Sequence, residues 1–311
     1  MPVCIDAMGA AFAALAAGTA QLPLRQVVRL PGTPNALYVM PASDQSLGAI
    51  GAKALTVFPG NDAAGIASHQ GVVLLFDAAD GRLTAILDAG AITAIRTAAV
   101  SGLATRLLAR ADAGDVAILG AGVQARSHLA AMCAVRTVRR VRVWSQRPER
   151  AAAFARDVGA GHGVPIEACP SASAAIAGAD IICTVTASKG PVVRGADVTA
   201  GAHINAVGAS SPATRELDTA AVAGSRLFVD RRESALAESG DFLIPRAEGA
   251  ITDAHIRGEL ADLVSGAVRG RERPDDTTLF KSLGLAIEDV AAAHVVLARA
   301  ELSGSGTFVD F

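Results

Sequence analysis

The chain has 311 residues, 51% of them hydrophobic, and its 28 Lys and Arg nearly balance 30 Asp and Glu for a net charge of −2. That length and hydrophobic content allow two domains with substantial cores, and the absence of a lysine-rich run interleaved with aromatics leaves a nucleic-acid surface without support. Cys4, Cys133, Cys169 and Cys183 stand far apart with no CxxC spacing, which argues against a zinc site or a disulfide framework and suits a reducing cytoplasm.

The opening "DAMGAAFAALAAGTA" reads as an alanine-rich helix with Asp6 near its N-terminus. No basic residue precedes it as a signal sequence needs, and no stretch approaches the roughly 20 apolar residues of a membrane span. Strand-like runs follow at 24–30, 36–40, 48–57, 71–77 and 83–88, punctuated by "PGTPN", "FPGND" and "AADG". These are turn chemistries, and they predict a mostly antiparallel sheet with flanking helices. "AITAIRTAAVSGLATRLLAR" (91–110) reads as one long helix, broken by "ADAGD".

From 115 onward, strands at 116–119, 140–145, 166–168 and 181–184, then in "HINAVGA" and "RLFVD", alternate with helices at 123–135, 148–158 and 171–177. Such alternation predicts a parallel sheet covered on both faces. The closing "TTLFKSLGLAIEDVAAAHVVLARAEL" reads as helical. The expected fold class is α/β: a Rossmann-type doubly wound parallel sheet over 113–285, plus an α+β substrate-binding domain over 1–112 that helix 286–311 completes.

"DVAILGAGVQARSHLAAM" (115–132) places Gly120, Gly122 and Ala125 in GxGxxA spacing between a strand and a helix. Small residues there let a phosphate approach the backbone amides of the helix start, so Gly120, Ala121, Gly122, Val123 and Gln124 are candidate dinucleotide contacts. The alternative is a tight turn holding no ligand. NAD-binding sheets usually end their second strand with an acid; here "VRVWSQRPER" offers Ser145, Gln146 and Arg147. An arginine can pair with a 2′-phosphate that a carboxylate would repel, which favours NADP(H) over NAD(H). Otherwise Arg147 is a solvated residue beside a helix start. Thr184 and Val207, near the carboxyl ends of their strands, complete the cofactor candidates.

Lys53 has no other charge within eight residues on either side, and Arg96 lies in the apolar "GAITAIRTAAVSG". Burying an unpaired charge is expensive, so each either snorkels outward or awaits an anion. As a pair they read as clamps for a carboxylate.

"SHQGVVLLFD", "AITAIRTAAVSG", "ILGAGVQARSH", "GAHINAVGASSPATRELD", "ALAESGDFLI" and "TTLFKSLGLAIEDVAAA" together resemble the ornithine cyclodeaminase and mu-crystallin family, in order from residue 68 to about 293, with weaker similarity back toward residue 23. The resemblance implies a homodimer paired through its N-terminal sheets, binding NAD(P)H and a small imino or amino acid. It sets Arg96 and Arg25 on the substrate carboxylate, Lys53 beside the reacting carbon and Met40 in the pocket. Where cyclodeaminases and alanine dehydrogenases of the family carry an aspartate, this chain has Ser210, which cannot be a base of comparable strength near pH 7. That departure favours reduction of a preformed cyclic ketimine, Δ1-pyrroline-2-carboxylate or Δ1-piperideine-2-carboxylate. Ornithine cyclodeaminase, alanine dehydrogenase and a non-catalytic small-acid binder are the alternatives.

His69 is either a proton donor or a structural, pocket-lining residue. His128 reads as packing or capping, and His203 as structural. Asp230 either orients a group at the cleft or ends a strand in solvent, and Lys281 and Ser282 are placed near the domain junction. No histidine pair has i, i+4 spacing and none stands beside a cysteine, so no metal is expected.

Overall fold

The computed structural model describes residues 1–309, without the side chains at positions 62, 63, 159, 160 and 162. It divides into two compact units, one of residues 6–96 with the chain from 285 on, the other of residues 1–5 and 97–284. The division falls inside the long helix that the sequence placed before 112.

In chain order the first half contains α1 (Pro2–Ala17), β1 (Ala20–Gln21), β2 (Gln26–Arg29), β3 (Ala36–Asp44), β4 (Ala49–Val57), β5 (His69–Asp77), β6 (Leu83–Asp88) and α2 (Ala89–Leu108). Asp6 therefore lies within α1 and does not open it; the helix begins at Pro2, whose missing N–H costs nothing at a helix start. The strands form one antiparallel sheet in the order β1-β3-β4-β5-β6, with β2 also on β3. Alternate residues of β3, β4 and β5 turn to one buried face, including Met40, Ala42, Leu55, Val73 and Leu75. The opposite face exposes Val28, Leu37, Ile50, Val72 and Ile86.

The second half continues with β7 (Asp115–Leu119), α3 (Val123–Val135), β8 (Arg140–Trp144), α4 (Pro148–His162), β9 (Ile166–Ala168), α5 (Ala172–Ile176), β10 (Ile181–Thr184), β11 (His203–Ala206), α6 (Thr219–Ala223), β12 (Arg226–Val229), α7 (Arg232–Glu238), α8 (Gly240–Ala247), β13 (Ile256–Glu259), α9 (Leu260–Ser265), β14 (Thr278–Lys281) and α10 (Ala286–Ser303). Its sheet runs β13-β12-β14-β11-β10-β7-β8-β9, and every described pairing is parallel. Strand order reverses between β7 and β10. Both faces are buried: Val116 and Ile118 of β7 join one core with Leu129, Met132 and Phe154, while Ala117 and Leu119 join the other with Ile176, Val222 and Phe242. Each large side chain so buried contributes about 1.5–3 kcal/mol.

One expectation fails here. "TTLFK" is not the start of the terminal helix; its last four residues are β14, inserted between β11 and β12. Its Thr278 and Phe280 favour a pleated, buried position, and Gly284, at φ +81, breaks the chain before α10 begins. Residues 310 and 311, the end of the expected helix, lie outside the described residues. Among the described residues no helix is long and apolar enough to cross a membrane.

Candidate active site

The turn after β7 has two glycines with different duties. Gly120 adopts φ +117, and a Cβ there would lie 2.6 Å from the Val185 carbonyl oxygen, so only glycine fits. Its N–H donates to the Trp144 carbonyl at 2.8 Å, joining the turn to the end of β8. Gly122 is exposed and faces open space, with nothing within 4 Å of where a Cβ would stand. It is the N-cap of α3, which has no side-chain cap and no acid in its first turn. Amides at such a helix start are oriented toward an anion and attract negative charge. Ala121 and Gln124 are half-buried and Val123 is exposed beside them. The cradle thus has the room, polarity and backbone geometry for a dinucleotide pyrophosphate.

Ser145, Gln146 and Arg147 follow β8 directly. Ser145 Oγ accepts the Arg147 N–H at 3.3 Å, and Arg147 is exposed as the N-cap of α4, with no carboxylate at that strand end.

At the ends of β10 and β11 the organising residue is one that sequence reasoning missed. Glu216 is fully buried and accepts from Thr184 Oγ1 at 2.7 Å, Thr186 N at 2.7 Å, Thr186 Oγ1 at 2.7 Å and Gly208 N at 2.6 Å. Thr184 is likewise fully buried, and its hydroxyl serves this carboxylate. The Val207 N–H donates to the Thr184 carbonyl at 3.0 Å, and Ser210 is exposed in the following loop. Lys281 is buried, 2.9 Å from Asp241, and donates to the Ala209 carbonyl at 2.6 Å. Asp230 is not a solvated strand end: 1% exposed, it accepts the Gly284 N–H at 2.8 Å.

In the antiparallel unit, Lys53 and Arg96 are 2% and 4% exposed, so neither snorkels. Each already has an acidic partner, because α10 supplies two. Lys53 Nζ lies 2.7 Å from Asp289 Oδ2 and donates to Thr93 Oγ1 at 3.4 Å. Arg96 donates Nε to Asp289 Oδ1 at 2.9 Å and Nη1 to Glu288 Oε2. Its Nη2 has no bond to any described residue. Burial, and then the Arg96 guanidinium, push the Lys53 ammonium down to about 8 despite the opposing pull of Asp289. Burial also acts against Arg96, but Asp289 and Glu288 outweigh it and hold the guanidinium above its ordinary value.

Ladder register arranges the rest. Met40 pairs directly with Lys53 and is 5% exposed. Gln26 pairs with Val39, so Arg25, half-buried, stands one residue beyond that ladder beside Met40. His69 is not brought to this group: it pairs with Val57, four residues along β4 from Lys53, about 13 Å away. Ser68 Oγ is 3.0 Å from its Nδ1. His128 and His203 are fully buried, and burial pushes them down to about 4 and about 3. His128 bonds Ser101 and the Gln124 carbonyl, and His203 bonds Thr278 and Asn205. Both are neutral structural groups. Among the described residues no cluster of three His, Cys, Asp or Glu could hold a metal. Glu288 and Asp289 carried one signal in the sequence: adjacent acids inside the apolar "GLAIEDVAAA".

The sequence profile of the ornithine cyclodeaminase/mu-crystallin family matches residues 1–304. Ketimine reductase mu-crystallin of Mus musculus is 42% identical over 279 residues, 90% of this chain and 85% of its own length. The structure of Thermococcus litoralis Delta(1)-pyrroline-2-carboxylate reductase in complex with NADH and L-proline superposes with a TM-score of 0.96 at 39% identity, covering 98% of this chain and 95% of that one. An archaeal alanine dehydrogenase dimer with bound NAD gives 0.93 at 30% identity, covering 99% and 94%.

Proposed function

Because the chain belongs to the ornithine cyclodeaminase/mu-crystallin family, we propose that it is an NAD(P)H-dependent reductase of cyclic ketimines, converting Δ1-pyrroline-2-carboxylate or Δ1-piperideine-2-carboxylate to the cyclic L-amino acid. Relatives named for such reductions, one of them solved with NADH and L-proline, support this reading. The observation that carries it is the buried Lys53 ammonium, 2.7 Å from Asp289 and paired across the ladder with Met40.

A ketimine acid needs three things: a hydride at C2, a proton at nitrogen and a clamp on its carboxylate. Bound at the glycine turn, a reduced nicotinamide dinucleotide supplies the hydride. Arg96 offers its uncommitted Nη2 to the carboxylate, with Arg25 as the second clamp. Lys53 gives a proton to the ring nitrogen, and a pKa of about 8 keeps it mostly protonated at neutral pH while making it a ready donor. Asp289 holds Lys53 and Arg96 in one geometry, so that orientation supplies much of the rate. Ser210 offers no base where the cyclodeaminases carry an acid, which weighs against ornithine cyclisation and alanine oxidation.

The cofactor is NADP(H) by preference, with NAD(H) as the alternative, because Arg147 is exposed where a carboxylate would otherwise meet the ribose. The protein is a homodimer paired through the apolar face of its antiparallel sheet. Purified protein should oxidise NADPH when either ketimine acid is added, and Arg147→Ala should lower kcat/KM for NADPH about 10-fold while sparing NADH. No loss of nicotinamide absorbance with both rings and both cofactors would refute the reading, and tight binding of the acid without turnover would identify a binding protein instead.

A further inference from the structure

Glu216 is expensive to keep. A carboxylate removed from water must be fully satisfied to be tolerated, and this one meets four donors and no acceptor: Thr184 Oγ1, Thr186 N, Thr186 Oγ1 and Gly208 N. An amide could accept on one side only and would turn N–H groups toward N–H groups on the other. The four donors come from the last residue of β10, the loop after it and the loop following β11. A Cβ on Gly208 would lie 2.2 Å from the Thr186 carbonyl and 2.5 Å from Glu216 Oε1, so the loops meet directly around the carboxylate.

The main chain of Glu216 is held as firmly. Its carbonyl accepts from Val192 and Val193 at 2.7 and 2.9 Å. Its N–H donates to Asp241 Oδ1 at 2.8 Å, and Lys281, 2.9 Å from Asp241, reaches on to the Ala209 carbonyl. Asp241 thus links the Glu216 main chain to one ammonium. Burial raises the Glu216 pKa while Lys281 opposes it.

In open α/β sheets ligands bind outside the carboxyl ends of the strands, where strand order reverses, and here that is beside β7 and β10. With the pyrophosphate seat at Gly120 after β7, the far end of a dinucleotide has β10 and β11 to meet. We propose that Glu216 is a positioning residue for hydride transfer: it locks the loops after β10 and β11 into one nicotinamide seat and leaves a net negative charge beneath it. This inference rests on the dinucleotide-dependent reading above. The charge matters because the nicotinamide ring becomes positive as it gives up hydride, and a preorganised anion stabilises that change.

The test uses the sole tryptophan, Trp144, whose carbonyl accepts the Gly120 N–H. Quenching of Trp144 by NAD(P)H reports occupancy of the turn, the emission of the bound reduced nicotinamide reports its own seat, and single-turnover absorbance reports hydride transfer. Glu216→Gln should keep the quenching midpoint within about 3-fold, move the nicotinamide emission toward that of free cofactor and slow hydride transfer per occupied site about 100-fold. Thr186→Val, which removes one of the four donors, should give an intermediate effect and serves if Glu216→Gln does not fold. A lower melting temperature with unchanged hydride transfer per occupied site would make Glu216 merely structural and overturn the proposal. If wild-type protein quenches but reduces neither ketimine, the substrate reading fails and the emission comparison still decides: identical spectra for wild type and variant sink the role of Glu216. No quenching in the wild type sinks both.

Discussion

Lys53 holds a charge where burial works against it, and Asp289 is what keeps it charged. The sequence showed the cation without its partner, because the two are 236 positions apart and meet only when α10 packs on the sheet. With Lys53 at about 8, its ammonium predominates below that pH and is lost above it. Since the reaction consumes a proton, kcat/KM for reduction should be flat below about pH 8 and fall about 10-fold per unit above it. Asp289 raises the Lys53 pKa, so Asp289→Asn should move the break to lower pH, by about one unit, and raise KM as Arg96 loses its anchor. A pH–rate profile of the two proteins checks both. An unchanged break in Asp289→Asn would remove Lys53 from the proton transfer.

At the scale of elements, the strand, turn and helix around Gly120 form a unit whose two glycines can be separated by mutation. Gly120→Ala puts a Cβ against the Val185 carbonyl at a positive φ, and should cost about 1–3 kcal/mol of stability. Gly122→Ala meets nothing within 4 Å and has φ −95, so it should melt with the wild type. Its methyl nevertheless occupies the approach to the helix amides, and dinucleotide affinity should fall about 10-fold or more. Calorimetry and Trp144 quenching together test the pair. Equal affinity in Gly122→Ala would move the phosphate seat elsewhere. β14 teaches the opposite lesson about elements: four residues, too few to show a period, were read with the helix beyond them, and their place between β11 and β12 depends on long-range pairing.

For the whole molecule, the antiparallel sheet leaves one face covered and one apolar and exposed. Ile50, Val72 and Ile86 are 45%, 37% and 50% exposed, and cross-strand pairing sets Leu74 between Ala52 and Ile86 on that face. Exposed apolar surface of this kind suits the proposed dimer interface. Leu74→Glu should convert a dimer to a monomer in sedimentation velocity while Lys53, on the opposite face, keeps its partners. A wild-type monomer at micromolar concentration would refute the dimer.

Periodicity and turn chemistry in the sequence were sufficient for the α/β class, most strands and the glycine turn, because alternation, helical spacing and Gly-x-Gly are local properties of the chain. The same local view found Lys53 and Arg96 as charges in apolar surroundings. It held Glu288 and Asp289 only as acids in an apolar stretch with no named partner, and could not find the role of Glu216 or the burial of Asp230, since whether a carboxylate is solvated or satisfied inside depends on donors brought from distant segments. Folding supplied those donors: α10 against the sheet for one cluster, and two crossover loops closing on one glutamate for the other.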